Sequence, residues 1–371
     1  MIDIDDAVTT AELTPLKRLW EFLVKYQAVV VPLVALGLAF SIGAILIQLQ
    51  GVNPSFAYNS LFRSALMTSD GLQRTLEKAT PLILTGLAVS IALRVGLFNI
   101  GAQGQLIFGA LGAAWVGFAW NGLPSILIIP AALAAGTLFG AMWASISGLL
   151  KAYRGVHEVI STIMLNSIAV GIIDWVVSYP LKEEGQILQR TPEVSEAAKL
   201  PLLGVVPSGF LVSISLALAL AWILNRTTLG FRFNTVGKNK HAARYAGIKL
   251  PTSIVGAMLF SGGLAGLGGA IETLGVVHRY ENGFNAGLGF DGITIALLAR
   301  GNPIATIPAA LLVGVLRAGA ASLQFDTGIQ PEVVDLLLAI TLLLVSIPLL
   351  AGVLFRDRAA KSEALTSGWG S

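Results

Sequence analysis

The chain has 371 residues, 55% of them hydrophobic and 12% charged, with a formal net charge of +3 and a mean hydropathy of +0.77. Soluble domains carry about 25% charged residues, so this composition excludes a soluble globular protein and describes a chain that crosses a membrane many times. There is no cysteine, which excludes disulfides, thiolate nucleophiles and thiolate metal sites, and the dispersed basic residues give no basis for a nucleic-acid partner.

The start, MIDIDDAVTTAEL, is acidic and polar, where a cleavable signal would open on a basic segment. Residues 1–27 read as a cytoplasmic N-terminal segment, with Lys17, Arg18 and Lys25 next to the first apolar run. That run, Ala28 to Leu49, is long enough to cross the ~30 Å hydrocarbon core. Further crossings are expected over Ala79–Leu93, Phe98–Trp120, Ser125–Leu150, Ile160–Tyr179, Phe210–Leu224, Ser253–Val277, Ile304–Ser322 and Val333–Phe355. Counting Gly287–Ala299 as a tenth, short crossing brings both basic ends to one side; the alternative for this thirteen-residue element is a re-entrant segment. The membrane domain is then 28–355, with a tail over 356–371 carrying Arg356, Arg358 and Lys361. On this topology cations are about twice as frequent inside as outside, as the positive-inside rule requires. Arg63, Arg74, Lys78, Lys182, Arg190, Lys199, Arg279 and Arg317 fall outside.

The fold class is therefore an all-α polytopic membrane protein of about ten transmembrane helices. Phe98-Asn99-Ile100-Gly101 echoes Phe284-Asn285-Ala286-Gly287 five crossings later and in the opposite direction, as two inverted five-helix halves would produce. Glycine is abundant, as in Gly262, Gly263, Gly266, Gly268 and Gly269, and implies close helix contacts.

Two loops stand out. Residues 182–208, with four glutamates and three prolines, read as an exposed, partly ordered external connection or as a landing surface for an external partner. Residues 226–251 hold the densest positive charge, from Arg226 to Lys249. There Asn239 can cap a short helix over Lys240–Ala246, and Gly247 can end it in the left-handed conformation. The small side chains of Ala242, Ala243 and Ala246 suit insertion into a groove on another protein; a loop that only fixes orientation is the alternative.

Enzyme-like patterns fail on context. Gly287 to Gly292 matches G-x-G-x-x-G without a surrounding βαβ unit, and Gly237-Lys238 is followed by Asn239 where a phosphate loop needs Ser or Thr. His157, His241 and His278 have no ligand spacing. A Ser–His arrangement at working spacing is missing as well.

Polar groups inside apolar runs carry more weight, because a charge at a helix centre costs about 2.5–3.5 kcal/mol on insertion. Asn99, Gln103, Gln105, Asn166, Asp174, Glu272 and Asp291 can line a hydrated solute path, with Phe98, Trp115, Phe284 and Phe290 able to stack on a flat ring. For the amides, interhelical hydrogen bonding is the equal alternative. For Glu272 and Asp174 it is nearness to the outer interface. A stand-alone secondary transporter would use Asp174 or Glu272 as an ion relay.

Four segments carry a resemblance: Leu93–Ala114, Arg154–Asn166, Val236–Pro251 and Gly289–Pro303. In order and content they resemble the permease subunits of ABC importers, in the branched-chain amino acid, ribose and nucleoside branch. The stretch from His157 to Asn166 looks most like the nucleoside members. His157 stands where Asn is usual, and Gln103 where Glu is common. The resemblance implies a chain that binds no cofactor and does no chemistry on its solute, a nucleoside or related sugar-bearing molecule. ATP and Mg would be used by two partner ATPase subunits, with a second permease, an identical or more often a different chain, and an external solute-binding protein completing the assembly. It places the chain in a bacterial cytoplasmic membrane with both termini inside. It also assigns Lys240, Ala242, Ala243, Arg244, Gly247 and Ile248 to a cytoplasmic loop that docks on the ATPase.

Overall fold

The computed structural model describes residues 27–283 and 287–346. The N-terminal segment, the C-terminal tail and Phe284-Asn285-Ala286, and with them the repeat echo and the stacking role of Phe284, lie outside the described residues. Thirteen α-helices run in order: α1 Gln27–Leu49, α2 Pro54–Leu66, α3 Ser69–Arg94, α4 Ala102–Ala119, α5 Ser125–Arg154 and α6 Glu158–Ser178. They continue as α7 Ser208–Arg226, α8 Thr228–Lys238, α9 Lys240–Tyr245, α10 Leu250–Glu272, α11 Leu288–Leu298, α12 Thr306–Thr327 and α13 Glu332–Ser346. The only described sheet is a two-residue hairpin, β1 Leu202–Leu203 with β2 Val206–Pro207. Among the described residues, seven helices (α1, α3, α5, α6, α7, α12, and α10 with its extension to Val277) are long and apolar enough to cross a membrane. The chain is thus an all-α polytopic membrane protein.

The bundle is built around α3. Thr68 caps it by accepting the Gly71 N–H, Asp70 lies in its first turn, and both features suit a helix N-terminus. The helix therefore starts ten residues before the apolar run. Leu82, Ile83, Leu84, Leu87 and Ala88 are completely buried, with α7, α10, α11 and α12 packed around them. On the other side of α10, helices α4 and α5 meet it backbone to backbone. A methyl group on Gly109 would stand 2.2 Å from Gly266 O, and one on Gly262 2.4 Å from Gly140 O. In lipid, where burial of apolar surface does not drive association, this close approach supplies the packing.

Several elements differ from the sequence expectation. The run Phe98–Trp120 becomes helical only at Ala102, because residues 95–101 form a turn. α2 and α8 are amphipathic, with one buried stripe each (Ala57, Leu61, Ala65; Gly230, Phe233, Val236), and neither is apolar enough to be seen as a crossing. Arg317, expected outside, lies near the middle of α12.

Residues 182–208 are tied along their length to the end of α10. Thr191 N–H bonds to Tyr280 O at 3.0 Å, Val194 N–H to His278 O at 2.8 Å, and Leu200 N–H to Leu274 O at 3.0 Å. The segment lies as a strap along the end of α10. There the helix widens into a π turn over Thr273–Val277 and stops at His278, with φ +62°.

Candidate functional site

Two regions hold the residues that the sequence singles out. The first is inside the bundle, where α4 begins. Asn99 spends its full hydrogen-bonding capacity there. Nδ2 donates to Gln105 Oε1 (2.9 Å) and Ser261 Oγ (2.8 Å); Oδ1 accepts from Gly101 N–H (2.9 Å) and Gln105 Nε2 (3.1 Å). Ser261 in turn donates to Ala88 O at 2.6 Å, so one amide ties α4 to α3 and α10. Asn166 on α6 accepts the Gly104 N–H at 2.8 Å and donates to Ile100 O at 2.9 Å. Asn99, Gln103, Gln105 and Asn166 are all buried. The structure thus gives three of these amides interhelical bonds, and Gln105 a bond to Asn99.

Gln103 makes the junction. Its Oε1 accepts the Gly289 N–H at 2.8 Å, which brings the N-terminus of α11 against that of α4. A methyl on Gly289 would stand 2.3 Å from the Gln103 backbone N, so only glycine permits the contact. Farther along α11, Gly292 abuts Thr85 and Ile295 meets Gly86 of α3. Eleven residues at 1.5 Å rise span about 16 Å, half a bilayer. α11 is accordingly a half-length helix that begins among the buried amides; three residues past its end, the Gly301 carbonyl accepts from Arg94 at 3.3 Å. Residues 278–283, before it, lie at the opposite end, where Glu281 pairs with Arg190.

Asp291, in the first turn of α11, is 2.6 Å from Arg317 Nη2, and that nitrogen is 3.4 Å from Asp335 on α13. Neighbouring Phe290 is 45% exposed, while Phe98 is half-buried. Sequence reasoning missed Arg317 and Asp335 as partners, although a lone arginine in the middle of an apolar run was a usable signal. Glu272 is fully buried at the end of α10, beside a small cavity lined by Glu77, Thr80 and Ser208. Its cation is Lys78, 3.6 Å away; Arg279 pairs instead with Glu183, Glu193 and Glu281. Asp174 is exposed near the end of α6. The structure does not gather these carboxylates into one site.

The second region is the basic end. The side chain of Asn239 accepts the Ala242 N–H at 2.9 Å, and Gly247 has φ +75°, so the expected short helix forms with both its cap and its stop. Ala243 is fully buried and faces the bundle, contrary to the expectation that all three alanines are free for a partner. Lys240, Ala242, Arg244, Ala246 and Gly247 are exposed and Ile248 half-buried. α8 seats this helix on α3, where a methyl on Gly237 would stand 2.1 Å from Arg94 O. Arg94 Nη1 donates to Asn234 Oδ1 at 3.4 Å and Asn234 to Leu224 O at 3.1 Å. Arg94 therefore touches both α8 and the far end of α11, a link that spacing alone does not reveal. Among the described residues, no group of three or more His, Asp or Glu side chains is placed to hold a metal ion.

Residues 71–346 match the family described as branched-chain amino acid transport system, permease component. The chain is 38% identical to the guanosine ABC transporter permease NupP of Bacillus subtilis over 325 residues, covering 85% of this chain and 92% of that one. It is 33% identical to the nucleoside ABC transporter permease NupB of Lactococcus lactis, over 92% and 97% of the two chains. With the glucose ABC transporter permease TsgB13 of Haloferax volcanii it shares 34%, over 84% and 85%. A multi-pass bundle with a small capped helix at one end, matched by the family over nearly all its described length, settles the class: the chain belongs to this family and is the membrane-spanning, non-catalytic permease subunit of an ABC importer.

Proposed function

We propose that the importer carries nucleosides into a bacterial cell across the cytoplasmic membrane. The observation that supports this solute is that two relatives aligned over most of their length, NupP and NupB, are named as guanosine and nucleoside permeases. A sugar is the second reading, favoured by the glucose permease TsgB13. In this proposal two ATPase subunits use ATP and Mg, a second and different permease chain completes the pore, and an external binding protein delivers the solute. The polypeptide crosses ten times in two inverted halves, with both termini inside. Residues Gly287–Ala299, with α11 as their helical part, make the short crossing.

Coupling runs through the basic end. α9 docks in a groove of the ATPase by Lys240, Ala242, Arg244, Gly247 and Ile248, while buried Ala243 seats it on its own bundle. α8 passes the motion to Arg94, and so to the ends of α3 and α11. Because α11 begins at Gln103, a tilt of its inner end moves its first turn in the middle of the membrane. The solute path passes this turn, with Phe290 and Asp291 on its wall and Phe98, Asn99, Gln103, Gln105 and Asn166 as its frame. Glu272 lies toward the outer mouth.

Uptake into liposomes holding the four-subunit importer tests the solute. ATP-dependent accumulation of guanosine, with glucose and leucine at background, is the expected result. Accumulation of glucose or leucine with guanosine excluded would overturn the nucleoside reading.

A further inference from the structure

α7 is 19 residues long, about 28 Å at 1.5 Å per residue, which is close to the ~30 Å hydrocarbon core. One side packs into the bundle through Phe210, Ala217, Leu220 and Leu224. The opposite stripe, Leu211, Leu218, Trp222 and Arg226, is exposed. Ser215 in the same stripe spends its hydroxyl on Leu211 O at 2.8 Å, so it asks nothing of a polar neighbour. Along the helix the stripe passes from leucine to a 63% exposed tryptophan and then to arginine. That is the order of the bilayer's strata: acyl chains, interface, headgroups.

α8 continues at headgroup depth. Thr227 fixes the corner, donating to Ile223 O at 2.7 Å and accepting the Gly230 N–H at 3.4 Å. A methyl on Gly230 would stand 2.4 Å from Leu224 O in the last turn of α7, and one on Gly237 2.1 Å from Arg94 O at the end of α3. The two contacts are seven residues apart, about 10 Å along the helix, which is the spacing of neighbouring packed helices. α8 is therefore a crossbar over the ends of α3 and α7, lying in the plane of the membrane surface. Its buried side is Gly230, Phe233 and Val236. Phe231, 62% exposed, and Arg232 stand clear of that side. An aromatic ring beside a cation suits a helix lying in the membrane interface.

We infer that Arg226 and Arg232 form a binding site for acidic phospholipids, whose phosphates meet the guanidinium groups while their chains follow the stripe of α7. Both arginines are exposed, and among the described residues neither forms an ion pair. The charge of the site is thus left for an anion to balance. Leu211 and Trp222 are about 16 Å apart in bilayer depth, a span that a soluble partner cannot cover and an acyl chain can.

The test uses the complete importer in nanodiscs. The chain has no cysteine, so Thr228→Cys, at the exposed start of α8, takes a single fluorophore when the permease is labelled before assembly. The quenchers are phosphatidylglycerol and phosphatidylcholine carrying a nitroxide at headgroup depth. An arginine near an acidic surface contributes about fivefold in binding. Phosphatidylglycerol should therefore reach half-quenching at a mole fraction about 25-fold below that of phosphatidylcholine. Arg226→Gln or Arg232→Gln should each cut that preference to about fivefold. Both together should abolish it, while Arg226→Lys with Arg232→Lys should keep it. About 1 M salt, with a Debye length of about 3 Å, should shrink the wild-type preference below about fivefold, and this serves if a variant fails to insert. Equal quenching by the two lipids in wild type, or a preference that survives the double Gln variant or high salt, would overturn the inference. So would quenching by neither lipid, the result expected if another subunit covers α8.

Discussion

The two ends of the bundle treat their charges in opposite ways. At the strap end, Glu183, Arg190, Glu193, Lys199, Arg279 and Glu281 interlock, with Arg279 alone reaching three carboxylates. At the basic end, among the described residues, none of the six cations from Arg226 to Lys249 forms an ion pair, and Tyr245 beside them is 94% exposed. One end is closed on itself; the other leaves its cations unpaired among the described residues. On the proposed docking of α9, the difference says where force would enter. A self-satisfied cap can hold helix ends in place, whereas an unpaired basic face joined to α3 and α11 through Arg94 can be moved.

The largest effect should come from breaking the open end. Ala242→Glu paired with Ala246→Glu puts two anions on the exposed side of α9 and the residue that follows it, without touching the buried side. Uptake is expected to fall at least tenfold, on the order of 1.4 kcal/mol or more of coupling, with normal insertion. Uptake at the wild-type rate would end the docking proposal. Ala243→Glu is a different experiment, because Ala243 is buried and the variant reports on folding.

Next is the seat of α8. Gly237→Ala forces a methyl against Arg94 O and should destabilise the protein by about 1–3 kcal/mol, the usual cost of overpacking. A melting temperature in detergent equal to wild type would mean that α8 does not bear on α3.

A smaller loss belongs to the closed end. Arg279→Ala removes the centre of the strap network, but exposed ion pairs contribute about 0–1 kcal/mol each. Only about 1 kcal/mol is expected, read as faster proteolysis near Arg190, with uptake reduced less than twofold. A tenfold loss of uptake would show that the closed end moves as well.

Much of this was legible in the sequence, for identifiable reasons. Asn239 and Gly247 fixed a cap and a stop that depend on local backbone chemistry, and both formed as expected. Apolar runs located the long helices because hydrocarbon thickness sets their length. α2 and α8 escaped because an amphipathic helix of 11–13 residues carries no such length signal. The amides of α4 were visible as polar intrusions, but their partners Ser261 and Gly289 are more than 150 residues away. Arg317 was misplaced because a count of charges by side treats every cation as a loop residue, and a mid-helix ion pair breaks that assumption.

The smallest expected effect concerns pH at the closed end. The hydrogen bond from Lys199 holds the Glu193 carboxyl below its ordinary range, helped by the charges of Lys199 and Arg279; the bonds to Glu193 and then Glu196 raise Lys199. A carboxyl lowered on folding adds stability above its unfolded value, near 4.3, and loses it as pH falls through the folded one. A lysine raised on folding adds stability below its unfolded value, near 10.4, and loses it as pH rises through the folded one. The latch should therefore be level from about pH 5 to pH 9 and weaken outside that window. Both groups are solvent-screened, so the change is small. Amide exchange of Val194 and Leu200, corrected for intrinsic rate, should be flat across the window and rise below about pH 4. Exchange that already rises between pH 7 and pH 6 would show that the Glu193–Lys199 latch is not what holds the strap against His278, whose backbone carbonyl accepts from Val194.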